Sequence, residues 1–416
     1  MHDDAFWKEL GLNPQETGEE TPCPEDGIPE EPEQKKKSPT VVGVIALTAL
    51  QTVLVVLCLA VSLFFLGHVA LMSGSGGISA NAGASSVTIL DKYDMYMTNQ
   101  ISSALDGVLS IKKVYWLSDS DLVAPKPDAT RYGTVSTPAE AMWVLEASAD
   151  LIGGQDMLFD ENTPIWDREG VHYYYDDTIL VLTWKQVIDR VMYTISEVKI
   201  AHPSQFRRFL ADGEFGSDKL YVTTEMAQSV NAVLATSGDY YRFRHNGAVV
   251  YEGQLRRFEG EKVDTCFIND DGDLLFAYRG DLTSEAQAKK FVEENNVRFS
   301  MAFGPILVDE GEVKVPKSYL LGEINDQYSR AGLAQMDELH YLVVSAGGEG
   351  GNENRHTVMQ FAENIRSFGA KKAYALDGGQ TTVVAMDGKL INNVDFGFQR
   401  QISDIIYFAT ANPEVK

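Results

Sequence analysis

From Val41 to Leu66 the chain carries no charged residue. No other segment limits so strongly what this polypeptide can become. About 20 apolar residues suffice to cross the hydrocarbon core of a bilayer as a helix. Lys35, Lys36 and Lys37 stand just before the run, and basic residues stay on the cytoplasmic side of a span. The expectation is a single transmembrane helix over 40–66. Its N-terminus is cytoplasmic, and the bulk of the chain after it is extracellular. A cleaved signal peptide is the rival, because Ala80-Asn81-Ala82 has the small-x-small form of a cleavage site. The apolar run is longer, and its leader more extended, than in an ordinary signal.

The span divides the remainder. Residues 1–39 are rich in Glu, Pro and polar side chains and read as a disordered acidic cytoplasmic tail. Residues 67–87, rich in Gly, Ser and Ala, read as a flexible linker. Residues 88–190 are mixed, with an expected helix over Tyr96–Val108, a strand over Ile111–Leu117 and a helix over Pro138–Leu151 capped by Thr137. They form either a membrane-proximal module or an extension packed on the main domain. Residues 191–412 alternate strands with a few helices, which predicts an α+β fold with mixed β-sheets. Asn246-Gly247 predicts a hairpin between Tyr240–Phe243 and Ala248–Tyr251, and Asp271-Gly272 a second one. A third joins Leu333–Gln335 to Leu339–Val344. Thr357–Phe368 reads as a helix closed by Gly369.

A net charge of −25 argues against a nucleic-acid partner, since phosphate binding needs clustered Lys and Arg. With Cys23 inside and Cys58 in the span, Cys266 is left without an intramolecular disulfide partner. Its apolar setting suits a buried thiol, and export without disulfides fits a bacterial surface with one membrane. The seven His residues show no zinc-protease spacing. The acidic cluster Asn269–Asp273 lacks the outer ligands of a calcium loop and reads as a turn. No cofactor is expected; a metal is unknown, and a divalent cation stays open.

Chemistry concentrates near the end of the chain. The apolar run Lys372–Leu376 enters Asp377-Gly378-Gly379-Gln380-Thr381-Thr382, and a second apolar run leaves it. Glycines let backbone N–H groups approach a ligand, and an acid beside them can orient it and move a proton. Taken alone, the segment is equally a hairpin turn carrying an acid. A related turn, Ser237-Gly238-Asp239, follows another helix–strand unit. Two such turns at strand ends can face one another across a cleft.

These segments resemble the phosphodiester glycosidase family. The Asp377 turn is similar to its Asp-Gly-Gly-Gly-Ser signature. Val198–Arg207 looks like its first strand and helix start, and Thr224–Tyr241 like its helix, strand and Gly-acid-aromatic turn. Phe303-Gly304-Pro305, Ser329–Ala334 and Arg400–Asp404 resemble further segments in the family's order. Ser237 stands where the family has Asn, Ala331 for its Thr, Gln380 for its third Gly and Thr381 for its Ser. The resemblance implies a hydrolase that cleaves a sugar-1-phosphodiester in a surface polymer or exported glycan. It implies Asp377, Asp239 and Arg330 as catalytic residues, with Arg330 clamping phosphate through its planar fork. Substrate contacts would come from Ser237, Gly238, Gly378, Gly379, Gln380, Thr381, Thr382 and Arg400. The alternative is a non-catalytic glycan-binding or envelope-organising module with the same fold.

Overall fold

The computed structural model describes residues 123–260, 262–320, 323–347 and 354–411, all within the unit Ile89–Lys416. The expected span over 40–66, the linker over 67–87, the elements between Tyr96 and Leu117 and the glycine loop at 348–351 lie outside the described residues. Among the described residues no helix is long and apolar enough to cross a membrane.

Long apolar strands dictate two sheets that are each buried on both faces. The larger one begins as a meander of β1 (Tyr132–Val135), β2 (Val171–Tyr175), β3 (Ile179–Ile188) and β4 (Val191–Ile200). Strands β5 (Phe206–Leu210) and β6 (Leu234–Ser237) belong to a second sheet. A side unit follows. It holds the hairpin β7 (Gly247–Tyr251) and β8 (Gln254–Glu259), and the strands β9 (Thr265–Asn269), β10 (Leu274–Ala277) and β11 (Val297–Met301). The chain then returns through β12 (Ile306–Asp309), β13 (Glu312–Val313), β14 (Arg330–Asp337), β15 (His340–Ala346) and β16 (Lys372–Leu376). It closes with β17 (Val384–Met386), β18 (Lys389–Leu390) and β19 (Asp404–Phe408). The large sheet has nine strands in the order β1-β2-β3-β4-β15-β14-β16-β12-β13; the second has five, in the order β18-β17-β6-β19-β5.

Because successive strand residues point to opposite faces, neighbours go to different cores. On β3, Ile179 and Val181 join one cluster while Leu180, Leu182 and Trp184 join another. On β19, Ile406 and Phe408 meet the first cluster while Ile405 and Tyr407 turn away. That shared cluster lies between the two sheets. Helices cover the outer faces. Val358–Ser367 buries Val358, Phe361, Ala362 and Ile365 against the large sheet, the spacing of one helical face. Thr223–Ser229 buries Met226 and Ala227 against the small sheet.

The strands β1–β3 hydrogen-bond into the same sheet as β4. A buried acid reinforces that join. Glu197 accepts from the amides of Leu158 (2.6 Å) and Phe159 (2.9 Å) and pairs with His340 Nε2 at 2.8 Å. The α+β fold with few helices is as expected, and every strand pairing among the described residues is antiparallel; two local readings are corrected. The hairpin at 247 turns at Glu252-Gly253, and Tyr240–Phe243 forms no strand. The expected helix start after Ile200 is a single 3-10 turn, Pro203–Gln205, leading into β5.

Candidate functional site

Antiparallel pairing brings four strand ends to one edge of the molecule. In the large sheet Ala331 of β14 faces Leu376 of β16, so Arg330 and Asp377 lie side by side at the sheet's end. In the small sheet Ser237 of β6 faces Ile405 of β19, which sets Gly238-Asp239 beside Asp404. The segment Asp377–Val383 carries the chain from β16 in one sheet to β17 in the other. Ser237 Oγ donates to the Thr381 carbonyl, and Thr236 Oγ1 donates to the Val383 carbonyl at 2.7 Å. The two Gly-acid turns therefore meet.

Close approach explains the glycines. A Cβ on Gly238 would lie 1.9 Å from Asp404 Oδ2, and one on Gly378 would lie 2.5 Å from the Ser329 carbonyl oxygen. Gly379 adopts φ +63°, and its amide donates to that same carbonyl at 2.8 Å. Thr381 Oγ1 donates to the Gly378 carbonyl at 2.7 Å. Gln380 Nε2 reaches the Phe398 carbonyl at 3.4 Å. The Thr382 hydroxyl is buried without a hydrogen-bond partner among the described residues.

Asp377, buried at the start of this turn, pairs with Arg400. Burial raises its pKa, against the pull of the Arg400 and Arg244 guanidiniums. Arg400 lies 5.0 Å from the Tyr240 ring centre, and Arg244 lies 5.4 Å from it. Phe243 stacks on Tyr240 at 4.6 Å. The result is a carboxylate, two guanidiniums and an aromatic ring at one edge, the groups needed to hold an anionic sugar derivative.

The other two expected catalytic residues are engaged elsewhere. Asp239 is buried. It accepts from Arg208 at 2.9 Å, from the Tyr241 amide at 2.8 Å and from the Ala302 amide at 2.8 Å. Arg208 also grips Asp404 through Nε at 2.9 Å and a terminal nitrogen at 2.8 Å. Two carboxylates thus share one buried guanidinium. Burial pushes Asp404 up to about 7, partly offset by Arg208. Arg330 donates through Nε to the His356 carbonyl at 3.2 Å and through a terminal nitrogen to the Asp326 carbonyl. Its guanidinium lies 5.6 Å from the Tyr328 ring.

Sequence reasoning missed Tyr240, Arg244 and Arg208 as site residues. Tyr240 follows the Gly-acid turn directly and was there to be read. Arg208 sits in an Arg-Arg pair on a strand, where alternation sends one of the two inward. Among the described residues no cluster of His, Cys, Asp and Glu is arranged to hold a metal.

Fold and site together define an α+β domain with an acid–glycine crossover between two sheets. Residues 230–409 match the family model described as phosphodiester glycosidase, and a domain of that kind is thereby shown in the chain. The chain is similar to the SPbeta prophage-derived uncharacterized protein YomE of Bacillus subtilis (strain 168). The two are 23% identical over 202 residues, which cover 46% of this chain and 30% of that protein. Similar solved structures include the zebrafish N-acetylglucosamine-1-phosphodiester alpha-N-acetylglucosaminidase catalytic domain, auto-inhibited by its pro-peptide. It has 16% identity and a TM-score of 0.46, over 70% of this chain and 99% of that one. A hypothetical protein from Synechocystis has 14% identity and a TM-score of 0.44, over 60% of this chain and 64% of that one.

Proposed function

We propose that this chain is a membrane-anchored bacterial hydrolase whose extracellular domain cleaves a sugar-1-phosphodiester in a surface polymer or exported glycan. The observation that carries the reading is the placement of Asp377. It stands at the crossover between the sheets, paired with Arg400 beside Tyr240, inside the family-matched region. A phosphate leaving group is already acidic, so the step needs little general-acid help. It needs an activated water, a held phosphate and stabilisation of charge at the anomeric carbon. Asp377 is the group for the water or the developing cation, and its raised pKa suits proton transfer. Arg400 takes the phosphate, with Arg244 adding charge across the Tyr240 ring. Arg330 instead fixes the strand end through its bonds to main-chain carbonyls, and Asp239 shapes the turn through Arg208. The anchor rests on the uncharged run after Lys37.

A non-catalytic glycan-binding module is the second reading. It is favoured by one observation: the Gly379 amide and all three acceptor contacts of Asp239 are engaged with protein groups. The deciding experiment is turnover of a panel of sugar-1-phosphodiesters by the full-length chain, with Asp377→Asn beside it. Hydrolysis lost in Asp377→Asn supports the enzyme. Binding of the panel with no hydrolysis supports the module.

A further inference from the structure

The chain reaches Arg400 through a turn that displays two aromatic rings to solvent. Phe396 is 86% exposed and Phe398 63%. Among the described residues neither ring makes an aromatic or cation–π contact. A single exposed apolar side chain needs no explanation, but rings gathered beside a polar site mark a contact surface. Phe396 also takes φ +62°, followed by Gly397 at +78°. Two consecutive left-handed residues suit Asn-Gly or Gly-Gly, and a bulky aromatic at the first stands there against its preference. Neither exposure nor backbone favours phenylalanine at 396, so the fold does not call for that ring.

The turn is fastened to the Asp377 site. Asp395 accepts from Ser329 Oγ at 2.9 Å and from Arg355 at 2.8 Å. The Ser329 carbonyl is the one that accepts the Gly379 amide. Gln380 Nε2 reaches the Phe398 carbonyl, and Val394, just before the turn, is buried in the outer core of the small sheet. Gln399 Nε2 donates to Thr224 Oγ1 at 3.0 Å, which turns this side chain toward the helix Thr223–Ser229. Phe398 has extended backbone, and alternation sends Phe398 and Arg400 to the side away from Gln399. They stand about 7 Å apart along the chain. On that side Arg400 pairs with Asp377. The rings therefore continue the row that starts with Asp377 and Arg400.

We infer that Phe398 and Phe396 form a platform for the leaving group, and that this leaving group is a second sugar, so that the substrate joins two sugars through one phosphate. The inference rests on the proposed phosphodiester site at Asp377 and Arg400. With the anomeric sugar at Asp377 and Tyr240 and the phosphate on Arg400, the group past Arg400 is the one beyond the phosphate. A pyranose has an apolar C–H face that can lie on an aromatic ring, while its hydroxyls stay in water. An open platform flanked by Asp395, Gln399 and Arg400 suits such a two-sided ring better than a lipid chain, which would need an enclosed apolar groove.

The test uses the full-length chain and three glucose 1-phosphodiesters that differ only in leaving group: methyl, glucos-6-yl and decyl. Calorimetry reads affinity, and product release reads turnover. The wild type should bind the glucosyl diester about tenfold tighter than the methyl diester. Phe396→Ala combined with Phe398→Ala should erase most of that ratio, and Phe398→Tyr in place of the second alanine should restore part of it. Phe396→Ala alone removes a ring standing in solvent, so it keeps the fold even if the double variant does not, and it should lower the ratio about threefold. Methyl-diester turnover with a wild-type ratio near one overturns the inference and keeps the hydrolase. A loss shared equally by the methyl and glucosyl diesters also overturns it. So does a preference for the decyl diester that the phenylalanines supply, which assigns the rings to a lipid. The expected binding pattern without turnover supports the platform and ends the hydrolase reading. Absence of binding to all three overturns the platform.

Discussion

Gly238→Ala should be among the most damaging single-methyl additions in the domain. The backbone there needs no positive φ, so the effect is steric. The new Cβ would meet Asp404 Oδ2 at 1.9 Å and its Cγ at 2.5 Å. Real Cβ atoms essentially never approach a neighbour closer than 3.0 Å, so the carboxylate must move by about 1 Å or more. Asp404 is fully buried and held by Arg208 at 2.9 and 2.8 Å and by the Asp239 amide at 3.2 Å. Moving it breaks those bonds and leaves buried charge underpaired, which costs about 3–5 kcal/mol. Gly379→Ala is the control. Nothing lies within 4 Å of its Cβ, and φ +63° alone should cost roughly 1–2 kcal/mol. Urea unfolding of each variant, with the cycle through Asp404→Ala, separates clash from backbone strain. With the carboxylate gone, Gly238→Ala should add less than about 1 kcal/mol. A cost equal in both backgrounds, or one below about 1 kcal/mol in the wild type, would refute the reasoning.

Asp377→Asn should lower kcat by about 10²–10⁴-fold with an unchanged melting profile, measured on an active phosphodiester. Near-normal turnover would remove Asp377 from the chemistry. Arg400→Lys should reduce kcat/KM more than Arg330→Lys, because Arg400 pairs with the Asp377 carboxylate while Arg330 donates to main-chain carbonyls; the reverse order would restore Arg330 as the clamp. The folded state holds Asp404 near 7 against about 3.9 unfolded. It therefore binds more protons than the unfolded chain between those values. Stability should fall as pH rises from about 4 to about 7, and Asp404→Asn should flatten that slope in denaturant titrations at fixed salt. Cys266 is fully buried, with its thiol pKa raised by burial. Cys266→Ala should cost about 1–2 kcal/mol, and reductant should leave the unfolding midpoint unchanged; a reductant-dependent midpoint would indicate a disulfide.

Much of the fold was legible where local chemistry and tertiary packing agree. Thr357 caps its helix with a capping box to Gln360, and Gly369 ends it at φ +92°. The Asp271-Gly272 turn joins β9 to β10. The Asn246-Gly247 hairpin failed because Gly247 answers a different demand. Gly247 does take φ +70°, and a Cβ there would lie 2.7 Å from the Ala302 Cβ, but the strand begins at that residue and the chain turns later, at Glu252-Gly253. At the site, the sequence shows the Asp377 turn because its residues are contiguous. It hides the Arg208 cluster, whose acids Asp239 and Asp404 are 165 residues apart. It also cannot show that Arg330 spends its donors on carbonyls, since those come from turns folded against it.

The segment matched by the family begins at 230, yet its strands take their neighbours from upstream. β15 pairs along its length with β4, and β19 pairs with β5. A gene fragment cut at the family boundary would therefore lay bare two rows of unpaired amides and carbonyls, one on each sheet. It would also discard Arg208, leaving Asp239 and Asp404 facing each other without their shared cation. Such open edges recruit other chains. Excision at residue 230 should yield aggregates, so a shuffled or recombinant version must carry the upstream strands as part of the inherited unit.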